Sequence, residues 1–168
     1  MPSKNQSIII GVAVGVVLGI IFAFLASSGG QAGQIIGGCG ACLVALLAPM
    51  AAVWHYTNTY NLTIPAGQGA GLGAIVGAVS SLIGGLIQQL LIRVGVFPDP
   101  LVAAREQLEA QGMDAAQIEQ ALGFAQTMSN PVIGLVVGLI IGALVGAIGG
   151  AIGASVFKKG GMVDEFDV

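Results

Sequence analysis

From Asn5 to Ile92 the chain carries no Asp, Glu, Lys or Arg, and a second uncharged run goes from Gln120 to Phe157. Apolar stretches of about 20 residues cross a hydrocarbon core roughly 30 Å thick. The pattern therefore predicts an all-α, polytopic membrane protein with four transmembrane helices. They are expected at about 8–26, 35–54, 69–94 and 132–157, within a single membrane domain spanning 1–168. The polar breaks give the connections. "SSGGQAGQ" reads as a tight first turn and "HYTNTYNLTIPAG" as the second connection. Trp54, Tyr56 and Tyr60 fall where an aromatic belt meets lipid headgroups. Pro49 lies inside the second span and predicts a kink there. Lys4 followed by an apolar run and "ASS" has the outline of a signal peptide, but the run is longer than a usual h-region, so a retained first span is expected.

Between spans three and four, polar periodicity takes over. Residues 99–130 read as an amphipathic helical hairpin. Asp99 and Pro100 form an N-cap and N1 pair. Gly112 stops the first helix, and Asp114 with Gln117 forms a capping box for the second. Asn130 and Pro131 repeat the cap-plus-proline start for span four. Leu101, Leu108, Ile118, Leu122 and Met128 make an apolar face suited to the membrane surface, the bundle or a partner. Arg105, Glu106, Glu109 and Glu119 lie off it.

Glycine supplies a second pattern. Gly134, Gly138, Gly142, Gly146 and Gly150 recur every fourth residue in span four, as do Gly11, Gly15 and Gly19 in span one. Span three carries Gly69, Gly73, Gly77, Ser81 and Gly85, and Gly29, Gly33, Gly37, Ala41 and Ala45 keep the same step around span two. In water each interior glycine costs about 1 kcal/mol relative to alanine. In hydrocarbon an unpaired peptide group costs several kcal/mol, so the helix forms regardless. Glycine then lets backbones touch, and close packing drives helix association because lipid is as apolar as leucine. A four-residue step advances the helix by about 400°, so the stripe drifts about 40° per step. Glycine-zipper packing at right-handed crossings of about −40° to −50° is the expectation. Gly149 and Gly153 begin a second row, available to a neighbouring copy. Span three resembles span four, "GLGAIVGAVSSLIGGLI" beside "GLVVGLIIGALVGAIGG"; convergence on glycine and aliphatic composition is the leading reading, and a duplication, which would make a pseudo-repeat of the transporter kind, the alternative.

Composition narrows function by exclusion. The chain is 55% hydrophobic and 8% charged, with net charge −3. No basic face is present for nucleic acid. Charge sits in the hairpin and in an acidic tail at 158–168. Lys4 and the α-amine flank span one, which puts both termini on the cytoplasmic side.

Candidate chemistry is sparse. Cys39 and Cys42 have CxxC spacing, but a membrane thiol oxidase needs a second pair and the chain has only two cysteines. Two ligands are also too few for a structural zinc site. His55, the single histidine, sits at a span edge without a nearby carboxylate. Gln88, Gln89 and Arg93 lie near the end of span three, where Arg93 is placed to snorkel to the headgroups. No catalytic set, cofactor site or metal site is expected, and the chain does not read as an enzyme.

The segment "CGACLVALLAPMAAVWHYTNTYNLTIPAGQGAGLGAIVGAVSSLIGGLI" resembles a group of small, uncharacterised bacterial membrane proteins. They share a Cys-containing second span, an aromatic end, a proline loop and a GxGAxxGxxxG third span. The matching positions are Cys39, Cys42, Tyr56, Pro65, Gly67, Gly69, Ala70, Gly73 and Gly77. "EAQGMDAAQIEQAL" is similar to linkers in that group. Some members carry an N-terminal zinc ribbon, which this chain lacks. The resemblance implies a multi-pass protein of the bacterial inner membrane and transfers no activity. The leading expectation is a non-catalytic accessory or scaffold subunit. Its partners would be the bilayer and either copies of itself or other membrane subunits. A small channel or transporter, with a path lined by His55, Asn61 or Gln88, is the alternative, and a thiol-redox protein a third.

Overall fold

The computed structural model describes residues 3–28 and 30–162. Six helices follow one another: α1 (Lys4–Ser28), α2 (Gly30–Tyr60), α3 (Ala66–Arg93), α4 (Pro100–Ala110), α5 (Ala115–Ser129) and α6 (Pro131–Val156). Four of them, α1, α2, α3 and α6, are long and apolar enough to cross a membrane. Their large aliphatic side chains point outward: Ile9, Val17, Ile35, Leu47, Ile75, Ile140 and Leu144 are all exposed. In water that surface would be an aggregation hazard, whereas in lipid it is the matched solvent.

The chain divides into two compact units, residues 1–84 with 138–168 and residues 85–137. In the first unit Ala52, Val53, Tyr56, Leu62, Ile64, Leu72, Val76 and Ala154 form a buried cluster. It is small because the helices meet mainly through backbone.

Two connections differ from the sequence expectation. The turn predicted at 27–34 is far shorter, because α2 resumes at Gly30. Gly29 itself lies outside the described residues. Gly33 and Gly37 explain the closeness. A Cβ at Gly33 would fall 2.5 Å from the Leu25 carbonyl oxygen, and one at Gly37 would fall 2.9 Å from Ala26 Cα. The second span continues beyond Trp54 to Tyr60. Its polar residues find partners along the way: Thr57 Oγ1 donates to Trp54 O, and Tyr60 Oη donates to Ser3 O. Pro49 is fully buried within this helix.

A short parallel ladder adds a contact that no local pattern in the sequence announces. β1 (Leu62–Thr63) pairs with β2 (Gly161–Met162), Leu62 opposite Gly161 and Thr63 opposite Met162. Gly160, at φ +69°, packs against the Asn61 carbonyl, where a Cβ would collide. Thr63 Oγ1 donates to Lys159 O, and Lys159 Nζ donates to Asn58 Oδ1. The remainder of the acidic tail, from Val163 on, lies outside the described residues.

In the second unit, Asp99 Oδ1 accepts from Leu101 N at 2.8 Å and caps α4 ahead of Pro100. Gly112 turns the chain at φ +72°. Asp114 and Gln117 cap α5 reciprocally: Gln117 N donates to Asp114 Oδ1 at 2.9 Å, and Asp114 N donates to Gln117 Oε1 at 3.3 Å. Asn130 Oδ1 accepts from Val132 N at 3.0 Å to open α6.

Candidate functional site

Helix contact in the first unit is organised by residues that lack side chains. Along α3 and α6, Gly69, Gly73 and Gly77 oppose Gly150, Gly146 and Gly142. A Cβ at Gly73 would strike the Gly146 carbonyl oxygen and sit 2.8 Å from Gly150 Cα. One at Gly77 would strike the Gly142 carbonyl oxygen and sit 3.0 Å from Gly146 Cα. From the other side, a Cβ at Gly150 would strike the Gly69 carbonyl oxygen. Backbone lies directly on backbone over two helical turns.

α6 also uses its second row. A Cβ at Gly149 would be 2.7 Å from the Leu46 carbonyl oxygen, and one at Gly153 would be 3.2 Å from Met50 Cα. Expected from its spacing to be available to a neighbouring copy, this row is instead covered by α2. On α1, Gly11 faces Ala52 and Val76, and Gly15 faces Ala48 and Ser80. Gly40 of α2 receives the ring of Phe22.

The four-residue rows do not act throughout their length. A Cβ at Gly19 or Gly138 would meet nothing within 4 Å. Gly85 meets only the tip of Leu135, at 3.0 Å, and Gly134 is half-buried. The drift of the stripe is the reason: after two or three steps it has turned away from the partner.

A polar group lies among these helices. Ser7, fully buried, shares a hydrogen bond with His55 Nδ1 at 3.0 Å, and Thr59 Oγ1 lies 3.4 Å from His55 Nε2. Both ring nitrogens are thus engaged by hydroxyls. No local sequence signal marks Ser7, because its partner lies 48 positions away. Ser80 Oγ is also buried, without a hydrogen-bond partner among the described residues. Asn61, at φ +50°, serves the turn after α2, and Gln88 is exposed.

Cys39 and Cys42 are free thiols, both on the exposed side of α2. Among the described residues no group of three His, Cys, Asp or Glu side chains is placed to hold a metal ion. A Cys39→Ser/Cys42→Ser double variant is expected to insert and to melt within about 0.5 kcal/mol of the parent, as surface substitutions do. Thermal unfolding in detergent checks this, and a native intramolecular disulfide would contradict it.

The apolar face expected on the hairpin is partly consumed. Ile118 and Leu122 are buried within the protein, while Leu101 and Leu108 are half-buried. Met128's side chain lies outside the described residues. α4 and α5 pack on each other. Glu106, Glu109 and Glu119 stay exposed, and Arg105 Nε pairs with Glu109 Oε1 at 3.3 Å on the surface. Docking a partner through Ile118 or Leu122 would first require uncovering them.

Four helices long and apolar enough to cross a membrane, with an aliphatic exterior, are the layout of a multi-pass membrane protein. The chain belongs to the family described as "Protein of unknown function (DUF4199)", whose model matches residues 6–159. The match takes in all four spans and the hairpin. No curated protein and no solved structure matches the chain.

Proposed function

We propose that this protein is a non-catalytic subunit of the cell membrane of a bacterium, assembling with its own copies or with other membrane proteins as a scaffold. One observation carries the reading. Small residues between the helices, together with His55, are taken up in packing and hydrogen bonding. α6 is held on two faces by backbone contact, against α3 through Gly142, Gly146 and Gly150 and against α2 through Gly149 and Gly153. His55 has a hydroxyl at each ring nitrogen. Interaction capacity remains on the outside, where open glycines such as Gly19, Gly38 and Gly138 adjoin large exposed aliphatic residues. Small residues on a lipid-facing helix surface permit close approach of a further helix.

The test is mass. Extracted directly from its native membrane into lipid discs, the protein should weigh more than one chain, or one chain plus another membrane subunit. A lone chain that also conducts ions or solutes when reconstituted into liposomes would replace this reading with that of a small channel or transporter.

A further inference from the structure

The second unit also holds a groove. It lies between the last turns of α3 and the first turns of α6, beside the contact of Gly85 with Leu135. Leu86, Gln89, Leu90 and Arg93 line one wall and Pro131 and Leu135 the other. The spacing 86, 89, 90, 93 places the α3 residues on one helical face. Its volume is about 250 Å³, below the roughly 300–1,000 Å³ typical of small-molecule pockets. The floor is apolar, and Leu90 is left 60% exposed.

Arg93 stands at the end of the candidate span Ala66–Arg93. Among the described residues no carboxylate lies within ion-pairing distance of it, whereas Arg105 has Glu109. The unit contains five carboxylates, Asp99, Glu106, Glu109, Asp114 and Glu119, against Arg93 and Arg105. Arg93 is therefore a cation left over within an acidic unit. Pro131 adds the positive end of the α6 dipole to the same groove. An occupant that brings an anion for the exposed Arg93, an acceptor for the Gln89 amide and a hydrocarbon chain for Leu86, Leu90 and Leu135 fits all three features of the groove. Free phosphate supplies only the first two.

We propose that this groove binds one anionic glycerophospholipid, its phosphate on Arg93 and Gln89 and an acyl chain along the leucines. The proposal depends on membrane insertion and is independent of the scaffold reading. It is tested on the full chain in lipid discs of equal phosphatidylglycerol and phosphatidylcholine, with lipids retained after detergent transfer counted by native mass spectrometry. The parent should retain phosphatidylglycerol about fivefold over phosphatidylcholine, the scale of one interfacial arginine. Arg93→Gln should equalise the two lipids and Arg93→Lys should keep the preference. Leu90→Trp, which fills the groove with Arg93 intact, should lower retention of phosphatidylglycerol. Excess inorganic phosphate should leave it bound. A preference that survives Arg93→Gln overturns the proposal. So does the absence of any preference in the parent, or displacement of the lipid by phosphate alone, which would make Arg93 a simple anion contact.

Discussion

Gly77→Leu is expected to destabilise the bundle by about 3 kcal/mol or more, the upper end of overpacking costs. The neighbour of Gly77 is the Gly142 carbonyl, and a backbone group cannot rotate aside as a side chain can. The two helices must separate along their length, and Gly73–Gly146 and Gly69–Gly150 lose contact with them. Gly138→Leu is the matched control. It lies on the same helix as Gly142, one four-residue step away, but faces open space. Its effect should stay within about 0.5 kcal/mol. The alanine pair gives a finer reading, with Gly77→Ala destabilising and Gly138→Ala neutral or slightly stabilising. Unfolding in mixed micelles, followed by circular dichroism, measures both pairs. Equal losses at Gly77 and Gly138 would mean that glycine acts through helix propensity and not through contact.

Leu122→Asp is expected to unfold the hairpin while the spans persist. Leu122 is 7% exposed. Removing a buried leucine costs about 2–5 kcal/mol, and an unpaired carboxylate in its place costs more. α4 and α5 have 11 and 15 residues, near or below the roughly 12–15 at which an isolated helix is marginal in water. Once their shared packing is lost, neither stands alone. Hydrogen exchange should show residues 100–129 losing protection while α1, α2 and the glycine-rich part of α6 retain it. Glu119→Ala, on the exposed side of α5, should leave protection unchanged. Persistence of hairpin protection in Leu122→Asp would show that Leu122 is not what holds it.

Spans, caps and stops could be read from sequence because each is a local event. Twenty apolar residues must be helical in lipid whatever surrounds them, and Asp99, Asp114 and Asn130 cap residues within three positions of themselves. The extent of α2 could not be read this way. Residues 55–60 look like a loop until Ser7, Thr59 and Ser3 are seen to take up His55 and Tyr60. The hairpin's apolar face was visible as a pattern, but not that Ile118 and Leu122 would already be covered.

The glycine rows show most plainly what is local and what is not. Periodicity alone determined that α1, α3 and α6 carry stripes without side chains, because a step of four residues nearly closes a helical turn. Which glycine meets a backbone depends on where two axes cross. Only the tertiary structure decided that Gly77 abuts Gly142 while Gly138 is open, and that Gly149 and Gly153 face α2. The same holds for the β1–β2 ladder, which joins residues about a hundred positions apart. A helix reports its own faces through the residues along it. The neighbour each face finds is set by the packing of all the helices together, and no single stretch of sequence contains that.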